Sequence, residues 1–320
     1  MKILSKINDF IEKDYKSSNL NCGFMINPYN FAGPTGITRG LIGAGYTSVN
    51  FNVIEYVTIA TPGNAIDFGD LTVARHQPGS CADATRGVFG GGFTGSAYTN
   101  VIDYVTIATP GNAIDFGDLS VTRGYLAGCA DATRGLFGGG ISASRSNVID
   151  YITIATTGNA TDFGDITVAR YYLAGCANST RGLFGGGDAV GNSNVIDYVT
   201  IATTGNAVDF GDLSASKYAL SGCASATRGV FAGGYTSVAV NVIDYVTIAT
   251  TGNATDFGDL TLSRNGLAGF ASATRGLFGG GYTSAVSNVI DYITIATTGN
   301  ATDFGDLTVA RYAVAGCAGS

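Results

Sequence analysis

Glycine supplies 48 of the 320 residues, roughly twice the usual ~7%, while only 13% of the chain is charged against a typical ~25%. A hydrophobic content of 45% without a polar low-complexity tract excludes disorder, and the lack of a Gly-X-Y period excludes collagen. A net charge of −7 with scattered basic residues argues against a nucleic-acid partner. No run of ~20 apolar residues predicts a membrane-spanning helix, and the N-terminus lacks the apolar core of a secretion signal. The expectation is a protein made in the cytoplasm, with no membrane insertion.

In chain order, the first element is an amphipathic helix over residues 1–16, predicted from Ile3, Leu4, Ile7, Phe10 and Ile11 at helical spacing. Its four lysines and three acids nearly cancel, so it reads as an anchor for a partner protein or for self-association rather than for a lipid surface. Residues 17–33 read as a linker, which makes 1–33 one unit and 34–320 another.

From residue 34 onward the chain repeats. The T-R-G arginines are Arg39, Arg86, Arg134, Arg181, Arg228 and Arg275, at intervals of 47 or 48 residues, and a D-F-G-D string keeps the same period. One copy contains G-L-F-G-G-G from Gly135, V-I-D-Y-I-T-I-A from Val148, a turn cluster, D-F-G-D-I-T-V-A-R from Asp162, and a small apolar run from Leu173 to Asn178. These read as four short strands joined by tight turns, the unit of a β-propeller blade. Six copies predict an all-β, six-bladed ring over 34–320. The first copy starts at its T-R-G strand and the last stops after the small-residue strand, so the C-terminal strand is expected to complete the first blade.

The arginine, the small-residue strand, the apolar strand ending in double or triple glycine (Phe89-Gly90-Gly91-Gly92) and the tyrosine-bearing strand resemble the kelch family of propellers over residues 34–320. One departure is the lack of tryptophan: Phe163 stands twelve residues after Tyr151, where the family places a Trp after its tyrosine. The wording N-V-I-D-Y-V-T-I-A-T-T-G-N-A-T-D-F-G-D-L is similar to repeat proteins of large tailed phages, especially aquatic ones. That resemblance implies a virion-associated or tail-fibre-like component that contacts other virion proteins through residues 1–33. The kelch resemblance alone implies an intracellular interaction scaffold.

Little in the sequence points to catalysis, a metal or a cofactor. The single histidine, His76, reads as a solvated turn residue and rules out a multi-histidine metal site. Asp162 and Asp165 recur in every copy, so they read as turn caps that meet Arg170 or Arg181 rather than as a catalytic pair. The G-N-A-T-D-F-G-D stretch is rich in oxygen but lacks calcium-loop spacing. Glu55, Asp103, Asp150, Asp197, Asp244 and Asp291 lie inside the most apolar strand, and a buried acid needs a cation. The T-R-G arginines are the expected partners, one structural ion pair per blade. Cys81, Cys129, Cys176, Cys223 and Cys317 share one repeat position and read as buried, reduced thiols.

The six copies differ chiefly in two turns, one after the glycines and one after the second arginine. In a four-stranded meander both turns emerge at the same end. They carry Tyr46, Phe93, Tyr98, Tyr125, Tyr171, Tyr172, Tyr218, Tyr235, Tyr282 and Tyr312, an expected recognition face for a host-surface glycan or protein. The combined expectation is a non-enzymatic virion display protein.

Overall fold

The computed structural model describes residues 38–319, so the expected helix of residues 1–16, with Ile3, Leu4, Ile7, Phe10 and Ile11, lies outside the described residues. Six four-stranded antiparallel sheets form a six-bladed β-propeller. In the third blade Ala127–Ala130 is innermost, followed outward by Arg134–Gly138, Val148–Thr153 and Thr161–Asp165. The innermost strands touch one another in a complete circle. Ala315–Ala318 pairs with Arg39–Gly43, with Leu41 opposite Cys317, so the last strand of the chain is the inner strand of the first blade.

Composition follows from the crowding at the axis. A Cβ added to Gly175 would sit 2.4 Å from the Gly128 carbonyl oxygen, and one on Gly222 would meet Gly175 at the same distance. Only a strand of Gly, Ala and small residues can approach its neighbours this closely. Farther out, each seam between blades is filled by apolar side chains such as Leu136, Ile149, Phe163 and Phe184, and Phe163 packs edge-on against Tyr151. The five equivalent cysteines are buried and free, and burial raises their thiol pKa values, those of Cys176 and Cys317 to about 12.

The repeated polar motifs turn out to be fasteners between blades. The Asn206 side-chain oxygen accepts the Asp165 N–H at 3.1 Å, and Ala207 N–H donates to Asp165 O at 2.8 Å, so the G-N-A turn of one blade docks on the D-F-G-D strand of the blade before it. Gly164 in that strand has φ +143° and would place a Cβ 2.5 Å from the Gly205 carbonyl oxygen, so glycine is required there. The oxygen-rich stretch is thus occupied in joining blades. Asp162 is exposed and meets neither arginine proposed for it: Arg170 pairs with Asp197, and Arg181 donates to Ile248 O.

The buried acids are ion-paired, but not with the T-R-G arginines. Asp150 pairs with Arg123 at 2.9 Å, Asp103 with Arg75, Asp197 with Arg170, Asp291 with Arg264, Glu55 with Arg311, and Asp244 with Lys217. Each cation comes from the segment that crosses over from the preceding blade. Except at Asp244, a hydroxyl from the same segment joins it: Ser120 Oγ donates to Asp150 at 2.6 Å and Thr167 Oγ1 to Asp197 at 2.5 Å. Strand register explains why the T-R-G arginine fails. Asp150 stands opposite Phe137 while Arg134 stands opposite Thr153, so the two lie three residues apart and on opposite faces of the pleat.

Arg134 instead lies over the Tyr151 ring, 4.9 Å from its centroid, and donates to Ile201 O in the next blade. The same latch recurs for Arg39, Arg86, Arg181, Arg228 and Arg275, the last reaching Ile59 O across the point where the ring closes. Every blade is therefore tied to the next by two cationic residues with different jobs.

Candidate binding surface

Two loops per blade meet at one end of the ring. The crossing segment after each outer strand bridges the turn between the second and third strands of the following blade: Tyr312 with Tyr46, His76 with Phe93, Gly124 with Ile141, Tyr171 with Asp188, Tyr218 with Tyr235, and Asn265 with Tyr282. These are the two variable turns, so the sequence differences among the copies collect at one end.

The residue after each bridged position has left-handed backbone geometry: Gln77, Tyr125, Tyr172, Ala219, Gly266 and Ala313 have φ between 53° and 64°. Their backbones close a cycle. Tyr125 N–H donates to Gln77 O, Tyr172 to Tyr125, Ala219 to Tyr172, Gly266 to Ala219, Ala313 to Gly266 and Gln77 to Ala313, at 2.7–2.9 Å. Left-handed φ in a non-glycine residue costs about 1–2 kcal/mol, and it is held here because it points each amide at the neighbouring carbonyl. The cycle rings the axis, where the cavity is only about 80 Å³.

Around this cycle the aromatic side chains form a continuous track. Ring centroids run Tyr282 to Tyr312 (5.3 Å), to Tyr46 (5.8 Å), to His76 (5.2 Å), to Phe93 (5.5 Å), to Tyr98 (4.9 Å) and to Tyr125 (6.2 Å). It continues through Tyr172 (4.5 Å) to Tyr218 (5.5 Å) and Tyr235 (5.4 Å), with Tyr171 beside Tyr172 at 5.0 Å. All ten aromatic residues expected at this end are brought together. The track is a horseshoe whose gap falls between Tyr235 and Tyr282, where Asn265 stands at the position held by Tyr218 and Tyr312 in the neighbouring copies. The single-residue insertion of the second copy lies in the turn that carries Tyr98.

His76 corrects the sequence reading, because it is a half-buried member of the track and not a solvated turn residue. Its Nδ1 lies 2.7 Å from Asn50 Oδ1, which can only accept, so Nδ1 carries the proton and Nε2 accepts from the Tyr125 hydroxyl at 3.1 Å. Burial lowers its pKa from 6.5 to about 4, which keeps the ring neutral. Burial likewise raises the phenol pKa values of Tyr125, Tyr171, Tyr218 and Tyr312. Arg145 and Asp188 at this end neutralise each other at 2.6 Å, with Arg145 lying over the Tyr171 ring.

At the opposite end a depression of about 540 Å³ is lined by the T-R-G hairpin turns, including Asp83, Asp131, Asn178, Ser225 and Ser272. Its carboxylates are already engaged: Asp83 Oδ1 accepts the N–H groups of Thr85 and Arg86, both at 2.7 Å, as Asp131 does for Thr133 and Arg134. Thr38 and Gly319 lie at this end too, because Arg39 pairs with Thr58 and Ala318 with Gly40, whereas Gly43 and Ala315 point toward the tyrosines. No protein-family model matches the chain, and no curated protein does either.

Proposed function

We propose that the protein is a non-enzymatic display component of a virion, kelch-like in its repeat, whose aromatic end binds a host surface. The observation that carries this reading is the aromatic track on a fastened ring, at the end of the blades opposite Thr38. Rigid aromatic surface with polar tips is what recognition loops commonly use. The buried acids and their cations hold the blades together, so they support a scaffold role rather than chemistry. The virion placement is supported by the likeness of the repeat wording to phage repeat proteins.

Mass spectrometry of purified phage particles tests the placement. The expected result is this chain as an abundant particle component. Its absence from particles, together with its recovery in complexes inside infected cells, would replace this reading with that of an intracellular scaffold.

A further inference from the structure

We propose that the aromatic track binds a neutral, extended oligosaccharide laid across its rings. The inference rests on the surface-recognition reading above and names its ligand class. The first support is charge. Among the turns at this end the charges that reach solvent are Arg145 and the half-buried Asp188, which satisfy each other, and His76 is held neutral by its surroundings. The nearest unpaired charges are acids: aspartates such as Asp118, Asp165 and Asp212 end the outer strands at the perimeter of this end, with no ion-pair partner among the described residues. A phosphate, sulfate or uronate ligand would meet no free cation and a fringe of carboxylates, which repel it.

The second support is shape. Inside the backbone cycle the axial cavity measures only about 80 Å³, well under the ~300 Å³ of an ordinary small-ligand pocket. A ligand must therefore lie on the surface and gain affinity from several modest contacts. Successive rings 4.5–6.2 Å apart, tilted 48–84° to one another, present alternating faces and edges at a spacing on the scale of one sugar ring. The third support is the polar trim. Phenol hydroxyls, with the Asn50 Nδ2 and Asn265 Oδ1 atoms left over from the bonds to His76 and Tyr282, can donate and accept without net charge. Apolar ring surface edged by neutral hydrogen-bonding groups matches an uncharged polyol and leaves ionic ligands unserved.

The test uses the purified full chain on a printed array of neutral, sialylated, sulfated and uronate-containing glycans, alongside an array of unglycosylated proteins. Tyr171→Ala and Tyr218→Ala remove two partly exposed rings that are absent from the buried seams. The proposal expects binding to neutral oligosaccharides, increasing with chain length, and weakened roughly tenfold by each substitution, equivalent to about 1.4 kcal/mol. Binding confined to anionic glycans, or neutral-glycan binding unchanged in both variants, would overturn it. Binding to unglycosylated proteins alone through the same tyrosines would also overturn it while leaving the surface-recognition reading intact. No binding by the wild-type chain to either array would count against both.

Discussion

Replacing Arg170 by methionine isolates the interaction on which the seams depend. Arg170 and Asp197 are both fully buried and 2.8 Å apart, and burial pulls the guanidinium pKa down while the carboxylate pushes it up. Breaking a buried pair leaves an uncompensated charge at about 3–5 kcal/mol. Thr167 still donates to Asp197, so the lower end of that range, about 3 kcal/mol, is expected. At about 2–4 °C per kcal/mol for a domain of this size, the midpoint should fall by about 6–12 °C. Arg181→Met removes only a ring contact and a carbonyl hydrogen bond at a half-buried site, about 1–2 kcal/mol. Thermal denaturation followed by circular dichroism measures both variants, and Arg170→Met combined with Asp197→Asn should recover most of the loss. The assignment is refuted if Arg181→Met costs as much as Arg170→Met, or if the double variant is no more stable than Arg170→Met alone.

Further expectations follow from other residues. Lys217 offers Asp244 a single contact at 3.0 Å and lacks the further bond that Arg170 donates to Phe184 O and Arg264 to Phe278 O, so Lys217→Arg should raise the midpoint by about 2–4 °C, and a fall would show that the lysine is the better fit. The unfolded chain protonates His76 near 6.5 and the folded one only near 4, so this group's stabilisation is complete above about pH 6.5 and is lost as pH drops toward 4. His76→Gln should flatten that part of the wild-type stability profile, and an unchanged profile would contradict the buried neutral imidazole. The five inner-strand thiols are buried with raised pKa values, so a thiol-disulfide reagent at pH 8 should reach them only on unfolding. Rapid reaction of two or more thiols in the native protein would show that the axis opens.

The blade plan was legible because hydrophobic runs, glycine stops and a 47-residue period are local signals, and meander topology alone assigns both variable turns to one end. The fasteners were not, because they join residues far apart in sequence. Arg134 and Ile201 are 67 positions apart, and Asp165 and Asn206 are 41 apart. The partner of Asp150 depended on register parity: the buried acid was evident, but the face occupied by Arg134 was not until the strands were paired. The second arginine, one position before the variable turn, did carry a usable signal, since five copies keep Arg and the sixth keeps Lys217. His76 was misplaced for the same reason of distance, its partners Asn50 and Tyr125 lying 26 and 49 positions away. The backbone cycle is invisible in side-chain identity, because Gln, Tyr, Ala and Gly all serve in it.

Adsorption of the purified protein to host cells, compared between substitutions at the two ends of the ring, decides whether the tyrosine-bearing end is the working surface. Tyr171→Ala and Tyr218→Ala alter that end, while Ala132→Glu and Ala226→Glu place charge on exposed turns at the other. Loss of adsorption in the tyrosine variants alone is the predicted result; loss in the glutamate variants with the tyrosine variants unaffected would contradict it.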